Sequence, residues 1–216
     1  YEEFIDILKS HNIELYFLDA SNNNTIDSIY AHDPFIISND GAIICNMGKK
    51  NRVSEIENIK IFLKNNDIPI IGEISAPGKL EGGDIVWIDK HNIAVGLGYR
   101  SNIKGAKQLG EILSGIVKNV IPVPLPHWNG PSDCLHLMSN LSPIDYNLFL
   151  VYSRLLPVQF IQYLEKNKIE LIEVPFEEYE TMACNVLAIA PRKVIMLEGN
   201  PITKKLLEKE KVIVHT

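Results

Sequence analysis

The sequence predicts an α/β fold built from repeated ββαβ units that form a closed ring or a stack. Four segments share one order of elements: a strand, a tight polar turn, a second strand, a helix and a third strand. Their starts at Asp33, Asp84, Asn140 and Asn185 are spaced 51, 56 and 45 residues apart. A unit of this size buries its apolar faces only against neighbouring units. Residues 1–216 are therefore predicted to form a single domain.

Each unit is predicted from its apolar strand segments and the turn that joins them. The first strands are predicted at 33–37, 84–88, 140–144 and 185–189, and the second strands at 42–45, 93–96, 148–151 and 194–197. The third strands are predicted at 68–71, 120–123, 169–174 and 212–214. The helices are predicted to begin near Arg52, Asn102, Pro157 and Pro201. A helix at 3–9 and a strand at 13–18 read as the end of a fifth unit, whose first two strands are expected to precede Tyr1.

Local residue chemistry supports these elements. Asn39-Asp-Gly41 suits a hairpin turn, because Asn and Gly tolerate positive φ. Pro157 and Pro201 suit the start of a helix, where a missing N–H is not needed. The segments 56–63 and 109–116 carry apolar residues at spacings of three and four, which gives each helix an apolar face to pack on a sheet.

Composition and charge exclude several classes of protein. With 46% hydrophobic and 22% charged residues, the chain is predicted to be folded and soluble, not disordered. Its apolar runs are all shorter than the roughly 20 residues that cross a bilayer, so no membrane partner is expected. The net charge of −6 and the lack of a basic stripe argue against nucleic acid as a partner.

The cysteines indicate where the protein resides in the cell, and the first residue indicates whether the sequence is whole. Cys45, Cys134 and Cys184 form neither a disulfide framework nor a zinc pattern, so a reducing, cytoplasmic location is expected. Cys45 and Cys184 lie in apolar strands and are predicted to be core residues. The sequence begins at Tyr1 with neither Met nor a signal peptide, and we expect it to be part of a longer protein.

Polar side chains recur just ahead of the predicted first strands, where a ring would bring them to one central channel. They are Asp27, Asp33, Glu81, Asp84, Asp133, Cys134 and His136. Taken singly, each acid is more often a turn or strand-cap residue than a catalyst, but recurrence at one repeat position favours a functional site. Cys134 and His136 could form a thiolate–imidazole pair, but positions i and i+2 of a strand lie ~7 Å apart, which favours a buried structural cysteine. His127, Asp133 and His136 lack the ligand spacing of a zinc site, so no metal and no cofactor are expected.

The segment Leu80-Glu-Gly-Gly-Asp84, followed by Val-Gly-Leu-Gly-Tyr-Arg-Ser-Asn at 95–102, resembles the guanidino-group modifying enzymes of the pentein superfamily. This superfamily includes arginine deiminases, amidinotransferases and dimethylarginine dimethylaminohydrolases. The likeness covers essentially the whole chain, continuing at 26–34, Arg52, 135–137, 183–189 and 199–201. It implies a five-bladed α/β propeller of ββαβ repeats, with N- and C-terminal segments missing from these 216 residues.

The resemblance also implies roles at a guanidinium site. Asp33 and Asp27 would hold the cationic guanidinium of a small-molecule substrate by charge-assisted hydrogen bonds. Glu81 would act in the same pocket, either against a guanidinium nitrogen or against the histidine. His136 would be the general acid and base, protonating the leaving amine and then activating water.

Two arginines extend the resemblance, and the sequence departs from the family pattern at Met138, at His32 and in the missing nucleophile. Arg52 and Arg100 resemble the family's clamps for the α-carboxylate of an amino-acid substrate. Met138 stands where deiminases and amidinotransferases carry a second guanidinium-binding Asp, which dimethylarginine hydrolases also lack. His32 stands where those hydrolases usually carry an acid and deiminases often carry Arg. The family's nucleophilic cysteine lies in a C-terminal segment after a glycine-rich stretch, and none of the three cysteines here aligns with it.

The resemblance therefore implies a hydrolase that acts on the guanidinium of arginine or N-methylated arginine. A Cys-thiouronium intermediate would give citrulline and an amine, and these 216 residues alone would be inactive because the nucleophile is absent. An amidinotransferase or arginine deiminase stays open as an alternative, as does a catalytically silent guanidinium-binding protein. Assembly into a homo-oligomer also stays open.

Overall fold

The computed structural model describes residues 1–19, 24–133 and 135–216. Its helices are α1 Glu2–Ser10, α2 Glu55–Asn65, α3 Ile103–Ile112, α4 Val158–Lys166, α5 Phe176–Tyr179 and α6 Pro201–Lys209. Its strands are β1 Phe35–Ser38, β2 Gly41–Ile44, β3 Ile70–Glu73, β4 Ile85–Asp89, β5 Asn92–Leu97, β6 Asn119–Pro124, β7 Leu141–Asp145, β8 Leu148–Val151, β9 Glu170–Glu173, β10 Leu187–Ala190, β11 Lys193–Ile195 and β12 Ile213–His215.

The strands form four three-stranded sheets, one for each predicted repeat. In every sheet the first and second strands are antiparallel and the second and third are parallel. The helix before each third strand supplies the crossover that parallel pairing requires. The α/β class and the ββαβ repeat are therefore confirmed. Within the described residues the sheets remain separate and do not pair into one closed sheet.

The hydrophobic core lies largely between consecutive units. One cluster joins Ile36 and Ile43 of the first sheet to Leu109 of α3 in the second unit. A second cluster joins Val86 of the second sheet to Phe160 of α4 in the third unit. A third cluster repeats this arrangement between the third sheet and α6. The helices α3, α4 and α6 thus pack toward the preceding sheet, whereas Ile59 and Leu63 of α2 pack on β2 of their own sheet. The interfaces between units stabilise the fold.

The residue that follows the N-terminal helix contacts the last strand of the fourth unit. His11, directly after α1, places its Nε2 3.0 Å from the Nε2 of His215 at the end of β12. The two rings meet edge to face, with centroids 4.7 Å apart. The beginning and end of the described chain are therefore in contact.

Two local predictions differ from the structure. The strand predicted at 13–18 is wrong, because the described residues there have no strand partner and the N–H of Ile13 bonds instead to the carbonyl of Leu8 in α1. The short helix α5 was not predicted, because four residues after Pro175 are too few to show a helical period. Among the described helices, each is too short or too polar to cross a bilayer.

Candidate active site

Short turns ahead of the first strands deliver the central side chains. Asp33 lies two residues before β1, Glu81 caps the 3-10 turn Gly82–Asp84 that leads into β4, and His136 caps the 3-10 turn Leu137–Ser139 before β7. Because the four sheets are equivalent, these turns lie at the same end of neighbouring units. The structure therefore brings together three side chains that are 48 and 55 residues apart in sequence.

Asp33, Glu81 and His136 form a compact cluster, with one ligand atom from each within 4.8 Å of the others. The Nε2 of His136 lies 2.8 Å from Oε2 of Glu81, and its Nδ1 lies 3.8 Å from Oδ1 of Asp33. Glu81 is fully buried, while Asp33 and His136 keep 8% and 7% of their surface exposed. The imidazole therefore sits between two carboxylates at a position that still reaches solvent.

Glycine at position 83 makes this cluster possible. A Cβ on Gly83 would lie 2.2 Å from Nδ1 of His136 and 2.9 Å from Oδ1 of Asp33. The backbone N–H of Gly83 also donates to that same Asp33 oxygen at 3.1 Å. The glycine of the Glu-Gly-Gly-Asp segment is thus required for close approach of the backbone to the imidazole.

Arg52 binds carboxylates of the protein itself. Its Nη1 donates to Oδ2 of Asp33 at 2.5 Å, and its Nε and Nη2 donate to Oε2 of Glu55 at 3.0 and 2.9 Å. Nη2 also donates to the carbonyl of Tyr30. Most of its donors are therefore occupied, and the binding of a substrate carboxylate by Arg52 stays a prediction.

Arg100 and Lys49 lie on the other side of Glu81. Nη1 of Arg100 makes a long hydrogen bond of 3.4 Å to Oε2 of Glu81, so much of its donor capacity is unused in this contact. The backbone N–H of Lys49 donates to Oε1 of Glu81 at 2.9 Å, and its ammonium pairs with Asp27. The structure thus joins Asp27 to the cluster through Lys49. Sequence reasoning missed Lys49, although it follows β2 much as Arg100 follows β5.

These contacts set the charge states of the acids. Burial acts to raise the pKa of Glu81, but hydrogen bonds from His136 and the Lys49 N–H outweigh it and hold that pKa below its usual range. The hydrogen bond from Lys49 lowers the pKa of Asp27. Burial raises the pKa of Asp84, beside the cluster, to about 6. The pocket therefore presents ionised carboxylates to whatever binds beside His136.

The cluster has the composition of a site for an organic cation that donates hydrogen bonds. Asp33, Glu81 and His136 are also the one set among the described residues with the spacing to ligate a metal ion. Each carboxylate, however, already faces N–H donors from Arg52, Gly83, Lys49 or Arg100. A guanidinium adds donors to such oxygens without displacing those contacts. The set His127, Asp133 and His136 does not come together as a ligand group in the described part of the chain.

The cavities distinguish the two ends of the units. A cavity of about 210 Å³ adjoins Arg100 and is lined by Tyr99, His127 and Asp133 among others. A larger one of about 610 Å³ lies at the opposite end, among the hairpin turns at Ser38, Asp89, Asp145 and Pro191. The second is remote from His136 and has few charged groups. The smaller cavity adjoins Arg100, which contacts Glu81.

The cysteines do not complete the site. Cys45 and Cys184 are both buried, as the sequence predicted, and burial raises the pKa of each thiol well above its ordinary value. Neither is poised as a thiolate. Cys134, predicted to be a buried structural residue, lies outside the described residues.

A sequence model of the arginine deiminase family matches residues 9–159. The chain belongs to the arginine deiminase family. The guanidino-modifying pentein superfamily inferred from the Glu-Gly-Gly-Asp segment is thereby confirmed.

Individual relatives support the assignment of this chain to the arginine deiminase family. The chain is 29% identical over 181 residues to the N(G),N(G)-dimethylarginine dimethylaminohydrolase of Pseudomonas aeruginosa, covering 83% of this chain and 65% of that protein. It is 28% identical over 209 residues to the uncharacterised protein YkgA of Bacillus subtilis, covering 97% of this chain and 69% of that protein. The chain thus spans about two thirds of the length of these curated relatives.

A solved structure shares the fold. The Pseudomonas aeruginosa dimethylaminohydrolase, a cysteine-to-serine mutant complexed with citrulline, superimposes with a TM-score of 0.81 at 26% identity. The match covers 99% of this chain and 78% of that one. The predicted α/β architecture is therefore that of a solved pentein hydrolase.

Proposed function

We propose that this chain carries the guanidinium-binding and acid–base groups of a hydrolase acting on arginine or N-methylated arginine. The observation that carries the proposal is the placement of the His136 imidazole between the carboxylates of Glu81 and Asp33, at 2.8 and 3.8 Å. Two carboxylates flanking an imidazole suit a cationic substrate that must also exchange protons. Glu81 and Asp33 would hold the guanidinium, with Asp27 ordered nearby by Lys49.

In the proposed mechanism His136 donates a proton in the first step and accepts one in the second. A cysteine thiolate attacks the guanidinium carbon, and the C–N bond to the leaving amine breaks as His136 donates a proton to that nitrogen. The covalent thiouronium then receives water, from which the neutral imidazole takes a proton. Loss of the thiolate, with release of the remaining hydroxyl proton to the departed amine or solvent, leaves the ureido product citrulline and restores imidazolium and thiolate. Both carboxylates stabilise the imidazolium form that begins the cycle.

We further propose that the nucleophile is not Cys45 or Cys184. Both thiols are buried and neither is ionised at neutral pH, because burial raises the pKa of each. We infer that these residues need a cysteine from a longer form of the protein, and that the units occupy a ring of five blades. The contact between His11 and His215 supports the ring, because it brings the residue after α1 to the end of β12.

The substrate's amino-acid end would lie toward Arg100. Its guanidinium is only loosely engaged by Glu81, and a cavity of about 210 Å³ adjoins it. A carboxylate there would satisfy the free donors of the Arg100 guanidinium.

We propose a small-molecule guanidino substrate, a cytoplasmic location consistent with the unpaired Cys45 and Cys184, and no nucleic-acid or membrane partner.

Product analysis tests the function. The full-length natural protein is incubated with arginine, N-methylarginine and agmatine, with and without an acceptor amine, and citrulline, released amine and transferred amidino groups are quantified. Citrulline with methylamine supports the hydrolase, citrulline with ammonia identifies a deiminase, and a transferred amidino group identifies an amidinotransferase. Binding without any product identifies a silent guanidinium-binding protein. Citrulline formed by the 216-residue chain alone would contradict the missing nucleophile and point to Cys134.

The matched control is a second buried glutamate. Glu178 also accepts backbone N–H bonds, from Ile202 and Thr203 at the start of α6, but it lies on α5, between the third and fourth sheets. Glu81→Gln is expected to abolish most turnover while Glu178→Gln changes only stability. Equal turnover losses in the two variants would contradict the assignment of Glu81 to the site.

A further inference from the structure

Asp84 is a buried carboxylate at the edge of the cluster that the proposed chemistry does not use. It ends the 3-10 turn that begins with Gly82, directly before β4, and only 1% of its surface is exposed. A Cβ on Gly96 of β5 would lie 2.6 Å from its Oδ1, so the neighbouring strand passes directly against the carboxylate. Water cannot solvate this group, and its charge needs compensation from the protein.

The carboxylate of Asp84 connects the three segments that carry the predicted site residues. Its Oδ1 accepts the backbone N–H of Leu137, next to His136, at 3.0 Å. Its Oδ2 accepts the hydroxyl of Ser101, next to Arg100, at 2.6 Å. The Ser101 oxygen in turn accepts the backbone N–H of Glu81 at 3.0 Å.

The other units have no carboxylate at the position that Asp84 occupies in the second unit. The residue directly before the first strand is Pro34 in the first unit, Asn140 in the third and Val186 in the fourth. Asn140 accepts the hydroxyl of Tyr179 through Oδ1 and leaves its Nδ2 without a hydrogen bond. The repeat therefore does not need an acid at this position to form its sheet. An acid is present in the unit that carries Glu81.

We propose that Asp84 is a positioning residue, which fixes His136 and Arg100 relative to Glu81 by holding the backbone of Leu137 and the hydroxyl of Ser101. This inference rests on the proposed guanidino chemistry of that cluster. A carboxylate anion suits this role because it accepts the hydrogen bonds from Leu137 and Ser101 at the same time, and its charge strengthens each of them. The titratable and charged groups that face it are His136, Glu81 and the neutral thiol of Cys45. The negative charge of Asp84 also favours the protonated imidazole.

The test replaces the carboxylate by an amide and reads the imidazole directly. In Asp84→Asn the 216-residue chain keeps side-chain volume and an oxygen for Leu137, but loses the second acceptor for Ser101. Nitrogen-15 NMR of histidine-labelled protein, with His136 assigned through His136→Gln, is expected to show shifted His136 resonances and titration at lower pH. In the full-length protein kcat for citrulline is expected to fall 10- to 100-fold with KM changed less than threefold.

Two further variants keep the proposal falsifiable. Asp89→Asn is the matched control, because Asp89 caps the other end of β4 by accepting the N–H groups of His91 and Asn92. Ser101→Ala breaks the connection from its other end and carries the test if Asp84→Asn does not fold. A His136 titration that is unchanged in both Asp84→Asn and Ser101→Ala, or changed equally in Asp89→Asn, overturns the proposal. Because this readout needs no turnover, it separates failure of positioning from failure of the proposed function.

Discussion

Glu81 and His136 are 55 residues apart in sequence, yet Oε2 of the glutamate lies 2.8 Å from Nε2 of the imidazole. The glutamate is fully buried and takes a second hydrogen bond from the N–H of Lys49 through its other oxygen. A carboxylate held at both oxygens cannot rotate away, so it fixes the orientation of the imidazole ring. This contact is the basis of the acid–base role proposed for His136.

Replacing Glu81 by Gln is expected to remove the ionic part of this contact and keep its shape. The imidazole of His136 should titrate at lower pH, because a neutral amide no longer stabilises the protonated ring. Citrulline formation by the full-length protein should fall about 100-fold, as is typical when an acid–base residue is impaired. The measurements are histidine NMR and steady-state kinetics. An unchanged titration would show that the contact does not govern the imidazole.

Replacing Gly83 by Ala is expected to disrupt the cluster sterically. The added methyl would lie 2.2 Å from His136 Nδ1 and 2.9 Å from Asp33 Oδ1, so one of the two side chains must move. Binding of arginine, measured by NMR titration of the chain, should be lost. Gly115 is the matched control, because a Cβ there meets no atom within 4 Å. Gly115→Ala should bind arginine normally, and equal behaviour of the two variants would refute the close-approach explanation.

Arg52 and Arg100 are expected to differ on replacement by Ala. Arg52→Ala leaves Asp33 and Glu55 as buried carboxylates without their cation, which should destabilise the fold by roughly 3–5 kcal/mol in chemical unfolding. Arg100→Ala should fold normally, and its kcat/KM for arginine-like substrates should fall by about 10- to 150-fold. Its kcat/KM for agmatine, which has no carboxylate, should change little. If arginine and agmatine lost equal activity in Arg100→Ala, the carboxylate clamp would be wrong.

Asp84 is expected to make stability depend on pH. Burial raises the folded-state pKa of Asp84 to about 6, above the ordinary value of 3.8. The folded protein therefore binds this proton more tightly, and the stability it contributes is present below about pH 4 and is lost as the pH rises through about 6. The stability of Asp84→Asn relative to the native chain should rise by roughly 2 kcal/mol between pH 4 and 7. Denaturant unfolding at several pH values checks this, and a constant difference would contradict the raised pKa of Asp84.

Much of the fold was predictable because it repeats. Apolar strand pairs around polar turns recur four times, and a local signal that appears four times at similar spacing outweighs errors in any one element. The strand at 13–18 failed because an extended apolar segment becomes a strand only where a partner offers hydrogen bonds, and Ile13 bonds to α1 instead. Pairing of this kind depends on tertiary contacts that one segment of sequence does not contain.

The site was less predictable than the fold. The Glu-Gly-Gly-Asp segment and the position of His136 identified the central side chains through a family resemblance. Among the residues that hold them in place, Lys49 and Glu55 carry no sequence pattern of their own, and Ser101 lies in the 95–102 segment, which does not reveal its contacts. Ser101 could have been found only by knowing that its hydroxyl bridges Asp84 and the N–H of Glu81. Contacts between distant turns are fixed by packing, which the sequence encodes only collectively.

The central claim is that Asp33, Glu81 and His136 bind a guanidinium. It is tested most directly by following the His136 resonances of the 216-residue chain while arginine, or its neutral analogue citrulline, is added to tens of millimolar. We predict that arginine binds more tightly than citrulline, and that Asp33→Asn removes this preference while Asp145→Asn, which alters an acid paired with Arg192 at the opposite end, retains it. Resonances of His136 that do not respond to arginine, or a preference that survives Asp33→Asn, would contradict the account.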